Sequence, residues 1–476
     1  MATRPILTLI LWSAVSTAAA SPRSDSTVGR AVFTGATVPS ATSISLNPAA
    51  IGLGSRDEIY LSVTAVLEQF GIDRKTIDLA TDSLVPGDQV RDLELGPGGS
   101  LAFVWHPYER ATLGFEIRSP SPEMFPNDPA LRYHSLGSRQ RNYLSTIAAS
   151  FKVTSRIYFG FSLTDDITSL RLRYARDTGL DPGRADCGGT PCGLENPAAS
   201  EVYDVTVRSP NVLSKDNLRG NLGFVARVWR DVWLGIAYHN TPGFGIQTEL
   251  AGEMNVTKAP RDGGEHIRGD STVYVSYPAS VDGEVRAHIL PDLEVHVGGR
   301  WEDLSRMQAY DVRGYGSSFR GQNVPEWQLR ARGMHDAFAI WAGLEQLDIG
   351  ERADRLWWLR FGGRLGLETS SQVPNKTSPS TNSPTSFTLD LGAQVRPGRD
   401  SSWIIQLSYG LQAFARVQVD DSAYDPRLAL DCIDSGFNYE SRSCEALRNG
   451  YAISTAAGDY SRFQHAIRLG LRYALP

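Results

Sequence analysis

Trp357-Trp358-Leu359-Arg360-Phe361-Gly362-Gly363-Arg364-Leu365-Gly366-Leu367-Glu368 is the stretch that decides the fold of this chain. Its odd positions read Trp, Leu, Phe, Gly, Leu, Leu, and its even positions Trp, Arg, Gly, Arg, Gly, Glu. An extended chain sends successive side chains to opposite faces, so one face is apolar and the other carries Arg, Gly and Glu. The same alternation recurs along the chain. Phe387, Leu389, Leu391 and Val395 alternate with Thr388, Asp390, Gln394 and Arg396, and Trp403, Ile405, Leu407, Tyr409 and Leu411 with Gln406, Ser408 and Gln412. Leu222, Phe224, Ala226 and Val228 face away from Asn221 and Arg227, and Leu293, Val295, Val297 and Trp301 away from Glu294, His296, Arg300 and Glu302. Near the C-terminus Phe463, Ile467, Leu469, Leu471, Tyr473 and Leu475 oppose Gln464, Arg468, Gly470 and Arg472.

Half-buried strands of a soluble sandwich would alternate too. Two features point elsewhere. The apolar face keeps aromatic residues near strand ends, as in the girdles at membrane interfaces. The polar face carries charges of both signs in strand after strand, as a wet barrel interior would. Arg360, Arg364, Arg468 and Arg472 all fall in mid-strand.

The connections fall into two classes. The short ones are His106–Arg110, Val153–Arg156, Trp229–Asp231, Leu290–Asp292, Asp348–Arg355 and Arg396–Ser401. The long ones are Gly71–Pro97, Ser119–Gln140, Ala175–Asn217, Gly243–Gly269, Gly314–Gly333, Ser370–Ser386 and Asp420–Gly458, which hold much of the Pro, Ser, Asn and Cys. The two classes alternate, which predicts an all-β fold: a 14-stranded antiparallel transmembrane β-barrel with short periplasmic turns, long outer loops and both chain ends on the periplasmic side.

Composition agrees. There are 45 Gly, with 17 Phe, 10 Trp and 18 Tyr. Charged residues are 21% and the net charge is −6, with no polybasic stretch to suggest a nucleic-acid partner. Arg4, the apolar run Ile6–Val15 and Ala18-Ala19-Ala20 read as an export signal over residues 1–20. No later segment is long and apolar enough for a membrane helix, and lipid otherwise admits only closed barrels. Cys187 with Cys192, and Cys432 with Cys444, form two local pairs in polar stretches. An exported chain makes loop disulfides the favoured reading over zinc, because no CxxC and no His at ligand spacing accompanies them.

Between the signal and a first strand beginning near Glu58 lie small, polar, Gly-rich residues. We expect residues 21–57 to form a plug in the lumen and residues 58–476 the barrel. Val28-Gly29-Arg30-Ala31, then Gly35, then Asn47-Pro48-Ala49 resembles the N-terminal plug of the FadL-like family, the long-chain fatty-acid transporters that also include transporters of toluene and other aromatic hydrocarbons. Further echoes are Gly114–Pro120 in the third strand, Gly235–Tyr238 in the seventh and Trp301–Arg306 at the end of the ninth. The Asn-Pro-Ala triplet alone is weak, since Asn196-Pro197-Ala198 repeats it in a loop.

The resemblance implies a hydrophobic ligand, such as a fatty acid or hydrocarbon, captured among outer loops. The ligand would pass to an apolar lumen pocket and leave sideways at a kinked third strand. It makes Asn47, Pro48 and Ala49 gate residues near that opening, and the Asn47 amide could donate to backbone groups the kink leaves unpaired. It places Met124, Phe125, Leu131 and Tyr133 in the capture groove; ordinary loop packing is the competing reading.

No GxSxG, HExxH, Walker A or paired CxxC motif is present. Inward-facing His296 reads as a lumen polar residue. Glu294, Glu345, Glu368 and Asp390 read as lumen ion-pair partners of Arg rather than an acid/base dyad. His465 near Ser461 lacks an orienting third residue for catalysis. These residues predict a monomeric outer-membrane protein in contact with lipid, with no enzyme activity, cofactor or metal. A scaffold or secretion partner using the large outer loops is the alternative, and a general porin a third, which the plug disfavours.

Overall fold

The computed structural model describes residues 32–475 except 79, 182–194, 246, 291, 347–356, 399–400 and 439. The expected signal, the start of the plug with Val28-Gly29-Arg30-Ala31, the Asp348–Arg355 turn, and Cys187 with Cys192 lie outside the described residues. Fourteen strands form one closed ladder: β1 (Glu58–Asp78), β2 (Ser83–Tyr108), β3 (Ala111–Ser119), β4 (Arg139–Thr154), β5 (Ile157–Asp177), β6 (Leu218–Trp229), β7 (Val232–His239), β8 (Ser280–Leu290), β9 (Leu293–Glu302), β10 (Ala337–Gln346), β11 (Trp357–Glu368), β12 (Ser386–Pro397), β13 (Trp403–Phe414) and β14 (Gly458–Ala474). Each pairs antiparallel with its neighbours, and β14 closes on β1 from Glu58↔Ala474 to Arg74↔Gly458. Closure pairs the strands into a ring, so the ladder ends on no open edge strand, which is what lipid requires. No described helix is long and apolar enough to cross a membrane.

The alternation falls on the two faces as the sequence predicts. In β11 the outward Leu365 is 51% exposed and the inward Arg364 only 4%. Outward side chains form an apolar belt, for example Ile59, Leu61 and Val63 on β1 and Leu101 and Phe103 on β2. Trp105, Tyr108, Trp229 and Trp403 stand exposed beside the short turns. Their rings suit the headgroup level, where one end is apolar and the other wet.

Besides the two-residue strand Glu123–Met124 within Ser119–Gln140, four of the expected loops are partly strand. Gly71–Pro97 is a continuation of the first hairpin, in which Pro97 pairs with Ala65 and Pro86 with Lys75. Its Gly and Pro imitate a loop, but β3 pairs with β2 only as far as Gly99. Beyond that point β2 has a free edge, where a residue without an N–H costs no ladder bond. The other three contribute to a sheet that rises from the upper half of β5. In order across it run Ser200–Arg208, Thr248–Thr257, His266–Val275, Ala309–Tyr315 and Trp327–Ala331. It carries its own core of Leu170, Tyr203, Val205, Met254, Val273 and Val312. The last loop folds as two short helices, α1 (Arg427–Asp434) and α2 (Arg442–Arg448), joined by a Cys432–Cys444 disulfide.

Candidate functional site: the plug, its seat and the wall beside it

Residues 32–57 lie in the lumen, and the inward-facing glycines explain where. Gly160 of β5 and Gly223 of β6 are cross-strand partners. A methyl group on either would overlap the Asn47-Pro48-Ala49 backbone or the Asn47 Oδ1. Two missing side chains therefore cut a notch in the wall, and the triplet fills it. Gly362 and Gly392, partners on β11 and β12, make a second notch for Val32 and Phe33. Gly114 receives Ile44, and Gly235 the Ala36 carbonyl and the Thr37 methyl, in the same way.

Polar latches complete the seat. Thr37 donates its N–H and its hydroxyl to Glu284 Oε1, at 3.0 and 2.6 Å. The Phe33 N–H donates to Glu345 Oε1 at 2.8 Å. Arg364 and Arg468 donate to the carbonyls of Thr34 and Val32, at 2.6 and 3.3 Å. Glu58 accepts from Ser40 and the Ala41 N–H, and Arg472 donates to Ser40. Phe33 has φ +66°, a strained value for a bulky residue, inside the span these latches fix. Part of the charged inner face read from the sequence as a wet lumen is thus a plug-binding surface.

Asn47 is fully buried and uses both ends of its amide. Nδ2 donates to Ala36 O at 2.8 Å and to Phe224 O on β6 at 3.1 Å, while Oδ1 accepts from the Ala49 N–H at 3.1 Å. The amide does not reach the broken third strand. The reading that it satisfies backbone groups there is corrected: the glycine notch at β5–β6 fixes its place.

The third strand does break. β3 pairs with β4 up to Arg118↔Leu144, the chain leaves the ladder through Pro120-Ser121-Pro122, and pairing resumes only at Glu123↔Gln140. Two prolines within three residues remove two N–H donors, which a continuous strand could not spare. This gap borders a lumen cavity of about 250 Å³, floored by Ser45 and Leu46 of the plug. Glu68, Arg118, Asp166, Arg219, Arg300 and Arg462 also line it, so the cavity is polar where the resemblance implied an apolar one. A smaller space of about 40 Å³ beside it, against Leu46, Ala339 and Trp341, is more apolar.

The expected capture residues divide. Leu131 is buried with Phe70, Ile72, Val90 and Tyr460. Met124 and Phe125 edge a small space of about 30 Å³ above the gap. Tyr133 is buried, bonds Ser200 at 2.8 Å and lines an outer cavity. Glu294, His296 and Glu345 hold three potential metal-ligand atoms within 4.8 Å of one another. Arg286 lies 3.4 Å from Glu294 and Arg360 2.5 Å from Glu345, so cations already serve these carboxylates and the cluster works as an ion-pair network. Ser461 donates to Gly71 O and His465 meets Tyr409, so the two do not form a catalytic pair.

These features define a plugged outer-membrane β-barrel of fourteen strands. No protein-family model and no curated protein sequence matches the chain. Solved structures do. A Pseudomonas aeruginosa FadL homologue matches at TM-score 0.71 and 15% identity, over 96% of this chain and 98% of that one. The Pseudomonas putida toluene transporter TodX matches at 0.60 and 13%, over 96% and 98%. The Ralstonia pickettii toluene transporter TbuX matches at 0.56 and 18%, over 96% and 99%. The chain therefore has the fold of FadL-like outer-membrane transporters.

Proposed function

We propose that this protein carries small hydrophobic molecules, long-chain fatty acids or similar compounds, across the outer membrane by passive, ligand-gated lateral diffusion. The observation that carries the proposal is the break at Pro120–Pro122, a gap in the wall that borders a cavity floored by the plug. A hydrophobic molecule has no reason to cross a charged lumen from end to end, because leaving lipid for water costs about 25 cal/mol per Å² of apolar surface. A sideways path avoids most of that cost. Asn47, Pro48 and Ala49 act as the plug's anchor, and ligand binding beside Ser45 and Leu46 would be felt there through the next residue. No step requires a cofactor or a partner chain.

The test is uptake of oleate and of toluene by bacteria lacking their own outer-membrane transporters, with this barrel present at the surface. Uptake of either that falls with Asn47→Ala supports the proposal. No uptake of either by a folded, surface-exposed barrel overturns it. The sheet rising from β5 then favours the scaffold reading, tested by retained binding of an outer partner.

A further inference from the structure

A second cavity of about 220 Å³ lies outside the barrel wall, among the outer loops. Its sides come from Tyr133, the end of β5, the edge strand Trp327–Ala331, and the helices α1 and α2 with the chain after them. The walls are more apolar than polar, and Leu180, Pro325, Trp327, Leu447 and Ile453 are among the residues that line them. Into this setting the structure places Arg330. Its Nη2 donates to the carbonyls of Tyr133 and His134, at 2.6 and 3.3 Å, and its guanidinium lies 4.0 Å from the centroid of the Tyr174 ring. Tyr174 is stacked in turn on Tyr203, with centroids 5.4 Å apart and planes 7° from parallel. The guanidinium is thus held flat and fixed in direction.

Among the described residues no carboxylate pairs with Arg330, and none pairs with Arg448, the other unmatched cation on the cavity wall. The remaining charges there are already engaged. Arg176 pairs with Asp181 and Glu201, and Asp177 accepts the N–H groups of Gly179 and Glu195. Burial without an opposing acid pulls the Arg330 pKa down. A half-buried guanidinium with no counter-charge loses part of its hydration without return, and its planar fork matches a carboxylate better than any neutral group.

From this juxtaposition we propose that the outer cavity is a binding site for a monoanionic aromatic carboxylate, with the acid on Arg330 and the ring against Trp327 and Leu447. Size selects the ring. A dry cavity of about 150 Å³ holds benzene, so this one takes one or two fused rings with their carboxylate, whereas a long alkyl chain would protrude. The fixed guanidinium lowers the ordering cost of binding. The proposal rests on the transport reading only for what happens to the ligand afterwards.

The test uses the purified full chain in lipid nanodiscs, with 2-naphthoate as probe and 2-naphthamide as its neutral counterpart. Charge-assisted hydrogen bonds predict naphthoate binding at least about tenfold tighter than the amide. Arg330→Gln should abolish that preference, and Leu447→Trp, which fills the cavity and leaves the charge in place, should weaken both ligands. Heat-modifiable electrophoretic mobility reports whether each variant is folded. Equal binding of acid and amide by the unaltered protein overturns the proposal, as does undiminished naphthoate binding in Leu447→Trp. If Arg330→Gln does not fold, those two measurements decide. Uptake separates the two readings: Leu447→Trp that loses naphthoate binding but keeps oleate or toluene uptake supports a site apart from the transport path, and an unaltered barrel that binds naphthoate but takes up neither substrate overturns the transport reading and leaves this one standing.

Discussion

Asn47→Ala should loosen the plug by an amount the structure lets one estimate. Three hydrogen bonds disappear: to Ala36 O, to Phe224 O and from the Ala49 N–H. The site is fully buried, so no bulk water replaces them directly. At about 1 kcal/mol net each, the loss is about 3 kcal/mol, or about 150-fold in the ratio of seated to unseated plug. The barrel wall itself loses no ladder bond and should fold normally. The assay is ion conductance of single barrels in planar bilayers, where an unseated plug opens the lumen. The open fraction should rise by about two orders of magnitude. Gly223→Val should act alike by a different route, since its Cβ overlaps Asn47 Oδ1. The double variant should fall short of the sum, because both changes act on one contact. A folded Asn47→Ala barrel whose open fraction stays within about threefold of the unaltered protein would refute the idea that this amide anchors the plug.

Two further outcomes concern the outer loops. His134 is buried among them, donates to Ser454 O at 2.9 Å, and has its pKa pushed down to about 3, first by burial and then by Arg330 and Arg74. Its folded pKa lies below the ordinary value of 6.5, so its contribution is complete above pH 6.5 and lost progressively as pH falls toward 3. At pH 4.5 the loops should be about 2–3 kcal/mol easier to open than at pH 7.5, read as faster proteolysis; a His134→Gln barrel that keeps the same pH dependence would refute this. Cys432→Ser should release the α1–α2 hairpin. A bridge across a separation of 12 residues is worth about 3 kcal/mol by chain entropy. Cleavage within Arg427–Arg448 should quicken markedly while heat-modifiable mobility of the barrel stays unchanged.

The wall was legible because lipid enforces a rule at each outward position: Phe361, Leu365 and Leu391 are apolar since nothing else is stable there. Inward positions obey no such rule. Glu345 read as a lumen ion-pair partner of Arg and does pair with Arg360, but it and Arg364 each also hold a plug backbone group supplied by a segment over three hundred residues away. Gly160 and Gly223 are ordinary glycines until the register sets them side by side. The same holds for Asn47, whose partner Phe224 O becomes its neighbour only through the notch. A kinked third strand was only what the resemblance implied, and neither the break at Pro120–Pro122 nor the polarity of the cavity beside it could be placed from sequence, since the break shows in the ladder and the lining comes from many strands and loops. Pro86 and Pro97 misled because an unpaired strand edge tolerates what a loop also tolerates.

The seam between β14 and β1 joins segments about four hundred residues apart, the most distant pairing in the wall. Joining ends so remote is the slowest step to expect in assembling such a ladder. The strands of this seam also grip the plug: Arg468 and Arg472 of β14 hold Val32 and Ser40, and Glu58 of β1 holds Ser40 and Ala41. It follows that the cylinder zips shut with its stopper as part of the zipper. An assembling cell is then spared an interval in which a finished, uncorked hole stands in its envelope.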